Sequence, residues 1–250
     1  MRTTGNTILI TGGTSGIGRA LAERLQAAGN HVIIAGRRQA LLDEVTAANP
    51  GMAGYAVDMA DGAAIQPFVR AVLADHPALN VVIANAGIMR AEDVTAGRDL
   101  SDAEGTIATN LLAPIRLIDA LVEHLSAQAD AAIVTVSSGL AFVPLAATPT
   151  YSATKAAIHS YSQSLRWQLR DKVEVIELAP PAVQTDLAPG QAQNPAYMPL
   201  AQFIDEVVAL LAQQPTPAEI QVSTLPFLRN AEAEGRFDAT FDALNGNYGH

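Results

Sequence analysis

The sequence predicts an α/β fold, a doubly wound parallel sheet flanked by helices, and three observations carry that prediction. Short β-branched runs alternate with longer segments of helical period, as in successive strand–helix–strand units. The β runs are nearly continuous in apolar residues, as strands must be when helices cover both faces of their sheet. The first run ends in a glycine-rich turn that leads straight into a helical segment, where such sheets hold ligands.

In chain order, Thr7 to Thr11 reads as a buried strand and Ile17 to Ala28 as a helix that Gly29 closes. His31 to Ala35 is the next strand, followed by a helix over Gln39 to Ala48. Gly54 to Val57, Val81 to Ala84, Ala131 to Val136 and Val173 to Leu178 add strands with helical segments between them, and Glu219 to Ser223 is a candidate seventh. No linker, repeat or low-complexity tract divides the chain, so residues 1–250 read as a single domain. Two stretches depart from the alternation. Residues 180–200 contain Pro180, Pro181, Pro189, Gly190, Pro195 and Pro199, and so long a loop in a compact domain is expected to be a lid over a site. Residues 228–250 are polar and loosely helical, and their pattern suggests no role.

Composition removes several classes of function. With 49% hydrophobic and 16% charged residues the chain is not a disordered one. A net charge of −10 repels phosphate backbones and anionic lipid, which argues against nucleic acid or a membrane as partner. There is no cysteine, hence no disulfide or thiolate metal site, and the histidines lack ligand spacing, so no metal is expected. No consecutive apolar run approaches 18 residues and residues 1–6 do not read as a signal peptide, so the expected location is cytoplasmic.

The turn after the first strand reads Thr11-Gly12-Gly13-Thr14-Ser15-Gly16-Ile17-Gly18. A phosphate loop of NTPases would need Lys and Ser or Thr next, where Arg19 and Ala20 stand. A nucleophile elbow would need glycine at Ile17. The six-residue dinucleotide fingerprint differs in spacing too, since this turn is Gly-x3-Gly-x-Gly. Two readings remain, an ordinary tight turn and a dinucleotide site whose pyrophosphate sits on exposed N–H groups at the helix end. The second strand ends in Gly36-Arg37-Arg38, with no carboxylate for a ribose hydroxyl and two guanidiniums suited to a 2′-phosphate. NADP(H) is therefore expected over NAD(H).

Tyr151 and Lys155 lie four apart at the head of a helical segment and share a face. A phenol of ordinary pKa near 10 is a poor base unless a cation favours its anion, which Lys155 can do. Upstream, Ser137-Ser138 ends a strand at the ligand-facing edge of the sheet, where a hydroxyl can orient a carbonyl oxygen. On their own, Tyr151 and Lys155 read first as an exposed helical pair of no consequence.

Thr11-Gly12-x3-Gly16-x-Gly18, Asn85-Ala86-Gly87, Asn110, Ser138 and Tyr151-x3-Lys155, in this order over residues 7 to about 187, resemble the short-chain dehydrogenase/reductase family. Ile10 to Gly18, Asn85 to Asp93 and Glu177 to Thr185 are similar to the subgroup labelled DltE-like oxidoreductases. The resemblance implies a Rossmann-type sheet and hydride transfer between a nicotinamide and a carbonyl or alcohol carbon. It implies Tyr151 as general acid and base, Lys155 lowering its pKa and binding the nicotinamide ribose, and Ser138 holding the substrate oxygen. Asn110 would anchor a water that relays protons to Lys155. The cofactor would lie against Gly12, Thr14, Ser15, Gly16, Ile17 and Gly18, with Arg37 and Arg38 at the phosphate and Asp58 and Met59 at the adenine. Asn85, Ala86, Gly87, Pro180, Val183 and Thr185 would line the nicotinamide end.

The sequence departs from that family in two places. Pro180-Pro181 replaces the usual Pro-Gly, which stiffens the start of the lid and leaves Gly190 as a hinge. The usual C-terminal strand and Val-Asp-Gly-Gly turn, which help form a tetramer in many members, are missing, and this leaves the tetramer open. Between Thr109 and Leu125, Leu111, Ile115, Ile118, Val122 and Leu125 form one apolar stripe and Leu117 and Leu121 another, so a homodimer is expected, with cover by the C-terminal tail as the alternative. The residues after Ser138 (Gly139 to Leu145), with Met89, Leu187, Tyr197, Met198 and Leu200, suggest an apolar wall for a ketone or aldehyde. The leading expectation is an NADP-dependent carbonyl reductase or alcohol dehydrogenase. Its alternatives are NAD-dependent alcohol oxidation, a non-catalytic dinucleotide sensor or scaffold, and an epimerase or dehydratase, for which the remaining C-terminal chain is short.

Overall fold

The apolar runs form seven strands: β1 (Thr7–Thr11), β2 (His31–Gly36), β3 (Ala53–Ala56), β4 (Val81–Ala84), β5 (Ala132–Val136), β6 (Glu174–Leu178) and β7 (Glu219–Ile220). In the computed structural model, which describes residues 1–246, they build one parallel sheet in the order β3-β2-β1-β4-β5-β6-β7. Residues 247–250, the end of the segment expected to be loosely helical, lie outside the described residues. The strand order reverses between β1 and β4, which opens a crevice at the carboxyl ends of the strands.

Successive side chains on a strand point to opposite faces, so each strand feeds two cores. Ile8 and Ile10 of β1 pack with α1 (Gly16–Ala27), α2 (Gln39–Ala48) and α7 (Leu200–Leu211), whereas Leu9 packs with α3 (Gly62–Asp75) and α5 (Ala113–Ser126). The long helix α6 (Pro149–Leu169) lies over β5 and β6 on the second face and carries Tyr151 and Lys155 to the crevice.

The expected seventh strand stops early, at Ile220 instead of Ser223. It pairs only with β6, and the Glu206 carboxylate captures the Ser223 amide and hydroxyl at 2.7 and 3.0 Å, turning the chain off the sheet edge. The helix expected from Thr109 begins earlier, as α4 (Ser101–Ile107), and passes through a π-helical turn (Ala108–Leu112) into α5. Together Ser101–Ser126 is long and apolar enough to cross a membrane by composition. Its inward side, Leu117, Ile118, Leu121 and Leu125, is fully buried in the second core. Ile118 and Leu125 therefore join Leu117 and Leu121 on one face, contrary to the two stripes read from sequence, because a 3.6-residue period brings them over the sheet. Leu111, Ile115 and Val122 stay half-buried and Leu112 exposed. The tail runs elsewhere: α8 (Pro226–Arg229) and α9 (Phe237–Asn245) settle beside the loop that follows β5.

Candidate active site

The crevice is a cleft of about 880 Å³. On its first side the glycine turn is shaped by close approach. Gly12 has φ +70°, and a Cβ there would meet Ala86 Cα at 2.9 Å; one at Gly18 would stand 2.3 Å from the Gly12 carbonyl oxygen. Asn85 occupies the gap between β1 and β4, donating from Nδ2 to the Thr11 carbonyl at 3.0 Å, while its amide and that of Ala86 donate to the Thr11 hydroxyl. Thr14 packs its methyl group on Gly36, and Ile17 leans on the first core. Ser15 is the N-cap of α1, yet its side chain makes no capping hydrogen bond, and the first turn of α1 has no acidic residue. The orphan N–H groups and the positive end of the helix dipole thus face the cleft, as an anionic group such as a pyrophosphate requires.

Arg37 and Arg38 are exposed on the cleft rim, and neither forms a salt bridge among the described residues. Asp58 and Met59 line the adjacent wall, Met59 buried and Asp58 exposed with its carboxylate capping the Ala60 amide at 2.9 Å. Gly87, Pro180, Val183 and Thr185 line the far end. The segment after β6 is closed at its base, where the Met198 amide donates to the Ala182 carbonyl and the Gln184 amide to the Met198 carbonyl, both at 2.9 Å. Gln191 crosses it, donating to the Val183 carbonyl and the Thr185 hydroxyl, just beyond Gly190 at φ +75°.

Tyr151 and Lys155 are buried at the centre of the cleft, 6% and 4% exposed. Burial pushes the Tyr151 phenol up to about 12, against a smaller downward pull from the nearby Ser138 hydroxyl. Burial lowers the Lys155 ammonium to about 8. Its Nζ lies 5.5 Å from the Tyr151 ring centroid and donates to the Val136 carbonyl at 2.9 Å. The expected lowering of the tyrosine by Lys155 is not found here: desolvation sets the direction, and the ammonium is bonded to the Val136 carbonyl instead of to the phenol. Asn110 sits in the π-helical turn just behind the cleft wall, not on it. Its Oδ1 accepts from the Ile88 amide at 2.9 Å and its Nδ2 donates to the Ile88 carbonyl at 2.8 Å, so it fixes the strand end that carries Gly87.

The apolar wall is narrower than the sequence suggested. Leu145, Met89 and Leu187 line the cleft with Ile88, but Phe142 turns away to pack edge-on against His159, and Met198 is buried at the base of the segment after β6. Arg90 and Asp102 pair at the mouth at 2.9 Å.

Residues with no assigned role in the sequence reading hold this wall in place. The Glu92 side chain is 2% exposed and accepts from the Thr150 amide at 3.0 Å, the Thr150 hydroxyl at 2.7 Å and Arg98 at 2.6 Å. Burial alone would raise its carboxyl; the Thr150 and Arg98 hydrogen bonds more than offset that and hold it below the usual range. Glu92 thereby pins the head of α6, the residue before Tyr151. Asn245 bonds the opposite side of the wall, accepting from the Ala146 amide at 2.6 Å and donating to the Pro144 carbonyl at 3.1 Å. Glu177, wholly buried on β6, accepts from the Ser137 hydroxyl and faces His159 Nδ1 at 2.9 Å. The available signal for Glu177 was a second carboxylate, beyond Glu174 at the strand's start, deep in the otherwise apolar strand Val173 to Leu178; nothing local marks Glu92 or Asn245.

Comparison with known proteins agrees with this geometry. Residues 6–196 match the short chain dehydrogenase family. The chain is 48% identical over 189 residues, 75% of both chains, to the uncharacterized oxidoreductase DltE of Bacillus subtilis (strain 168). Among solved structures it is similar to a short chain dehydrogenase from Burkholderia cenocepacia J2315 in complex with NADP, with a TM-score of 0.82 and 22% identity over 98% of this chain and 99% of that one. It is also similar to a 3-ketoacyl-(acyl-carrier-protein) reductase from Brucella melitensis complexed with NADH, with a TM-score of 0.76 and 22% identity over 86% and 93% of the two chains.

Proposed function

Because the chain belongs to the short chain dehydrogenase family, on its DltE-like branch, and is an oxidoreductase, we propose that it moves a hydride between NADP(H) and the carbonyl or alcohol carbon of an apolar ketone or aldehyde. The observation that carries this reading is the burial of Ser138, Tyr151 and Lys155 together in the cleft, with the Lys155 ammonium 5.5 Å from the tyrosine ring, facing a wall of Ile88, Met89, Leu145 and Leu187.

The nicotinamide, when bound, supplies or takes up the hydride. The uncapped start of α1 and the backbone from Gly12 to Gly18 would hold the pyrophosphate, Arg37 and Arg38 the 2′-phosphate, and Asp58 and Met59 the adenine. Asn85, Ala86, Gly87, Lys155, Pro180, Val183 and Thr185 would border the nicotinamide end. In reduction Tyr151 gives its proton to the substrate oxygen; in oxidation its phenolate takes the alcohol proton. The phenol, which burial raises further, is protonated at neutral pH, the state reduction needs, and the Lys155 ammonium beside the ring would stabilise the phenolate left behind. Ser138 donates to the same oxygen, and Asn110 holds the wall at Ile88 and supports proton return through Lys155. Residues 180–200 act as the lid, hinged near Gly190, and exposed Leu112 with half-buried Leu111, Ile115 and Val122 supports a homodimer.

The test is turnover on a panel of apolar ketones and aldehydes with NADPH and with NADH, wild type beside Tyr151→Phe. The expected result is NADPH-dependent reduction that falls about 10²–10⁴-fold in the variant, with NADPH affinity retained. NADPH binding with equal turnover in both proteins would overturn the assignment of Tyr151.

A further inference from the structure

Glu177 is the one carboxylate in β6 that is wholly buried, and its partners are unusual in where they come from. The Ser137 hydroxyl, on the residue before Ser138, donates to Oε1. His159 Nδ1, on α6 one turn beyond Lys155, lies 3.0 and 2.9 Å from the two carboxylate oxygens. A single side chain therefore ties the strand end that presents Ser138 to the helix that presents Tyr151. A carboxylate so deep is costly unless each oxygen is answered, and here the answering groups belong to the two elements that must keep register.

The contacts close into a ring. The His159 ring packs edge-on against Phe142 at 4.8 Å, in the turn after Ser138, and the Arg229 guanidinium lies 4.6 Å from the Phe142 centroid. Arg229 donates to both oxygens of Glu219, at 2.8 and 3.1 Å, and Glu219 is the register partner of Glu177 across β6 and β7. Gly139, on the other side of Ser138, donates to the Pro180 carbonyl at 2.8 Å and lies so close under Leu228 that a Cβ would stand 2.8 Å from its Cδ1. The ligating atoms of His159, Glu177 and Glu219 lie within 4.8 Å of one another. Ser137, His159 and Arg229 already answer these carboxylates, so the cluster reads as an ion-pair ring and not as a cation site.

We propose that Glu177, acting with His159, is a positioning residue for the Ser138–Tyr151 pair, and that Arg229 makes the C-terminal segment part of the same device. The inference rests on the reading of Ser138 and Tyr151 as the groups that meet the substrate oxygen. It assigns α8, which leads into the 228–250 segment whose pattern suggested no role, the task of holding the turn behind Ser138 through Phe142 and Leu228.

The test is a double-mutant cycle in kcat. Glu177→Gln should lower kcat about tenfold with NADPH affinity unchanged, yet by less than about twofold when Ser138→Ala is already present, because a residue that acts through Ser138 has nothing left to position. Arg229→Met should behave likewise with a loss of about threefold. Independent multiplication of the two effects, or a Glu177→Gln enzyme with full kcat, would overturn the proposal. If Ser138→Ala itself left turnover intact, the functional reading would fail instead, a different outcome from either. Amide hydrogen exchange needs no substrate: Glu177→Gln should speed exchange across residues 137–142 and 225–229 and leave β1 and β4 as protected as before. Unchanged exchange in those segments, or an increase spread through the sheet, overturns the proposal as well.

Discussion

The two sides of the cleft are built by different means. The cradle between β1 and β2 is made of backbone, with shape forced by atoms that have no room to move: Gly12 against Ala86, Gly18 against the Gly12 carbonyl, Thr14 on Gly36. The apolar wall opposite is held by side chains reaching across long stretches of sequence, from Glu92 to Thr150, from Ser137 to Glu177 and from Asn245 to Ala146. The first is rigid because of what cannot fit; the second holds only as long as each partner is present. A change in the cradle should therefore act all at once, and a change in the wall by degrees.

The largest effect expected is Gly18→Ala. Its Cβ would stand 2.3 Å from the Gly12 carbonyl oxygen and 2.4 Å from Asn85 Nδ2, and neither a turn backbone nor a doubly bonded amide can yield. A stability loss of about 3 kcal/mol or more should appear in urea unfolding, together with loss of dinucleotide binding. Ser15→Ala sharpens the contrast. An N-cap serine commonly contributes about 1 kcal/mol, but Ser15 makes no capping bond, so its removal should stay within about 0.5 kcal/mol. A large loss there would mean that the hydroxyl, and not the bare helix end, organises this turn.

Next in size is the rim of the cradle. Arg37→Ala with Arg38→Ala should weaken NADPH binding about 10–100-fold and leave NADH within about twofold, since the two solvent-screened, charge-assisted contacts to a phosphate are together worth about 1.5–3 kcal/mol. Equal weakening of both dinucleotides in calorimetry would remove the basis for the NADP(H) preference and leave the tyrosine chemistry untouched.

The same contrast explains what was legible in the sequence. The strand–helix alternation, the glycine turn, Asn85 and the Tyr151–Lys155 spacing are local constraints, so they leave marks within a few residues of one another. The apolar wall does not. Phe142 reads as an apolar residue after Ser138 and could point either way; a histidine on the next helix and an arginine from α8 decide it. Glu92 reads as a solvated loop residue because nothing near it in the chain announces Arg98 and Thr150 as joint partners. The shortened β7 is a similar case, set by Glu206 on another element. The early start of α4 was missed for a different reason: its polar, glycine-containing segment Ser101–Ile107 has weak apolar periodicity of its own.

In the wall, Glu92→Gln should cost about 1–3 kcal/mol at pH 7 through the weakened bonds to Arg98 and Thr150. The acid dependence gives the sign. The folded-state carboxyl is held below its ordinary value, so its contribution is present above about pH 4.3 and is lost as pH falls through the lowered folded value. The gap in unfolding free energy between wild type and variant should therefore close as pH falls below the ordinary carboxylate range and through the lowered folded value. A gap constant from pH 7 down through that range would show that packing, and not charge, is what Glu92 contributes.

The smallest effect belongs to Asn245, and it tests the wall at its outer edge. Asn245 touches no group of the cleft; it holds the Pro144 carbonyl and the Ala146 amide from behind, while Leu145 and Ala147 face inward. Its bonds are partly exposed, each worth about 0.5–1.5 kcal/mol, so Asn245→Ala should leave kcat near wild type and raise KM for an apolar substrate about threefold. That split follows from where the bonds fall: the reacting groups are fixed by Ser138 and Tyr151, whereas the wall that Asn245 supports only shapes the space the substrate must enter. A fall in kcat without a change in KM would mean that the loop from Pro144 to Ala147 reaches the chemistry through the head of α6, and that the wall and the reacting pair are one mechanical unit.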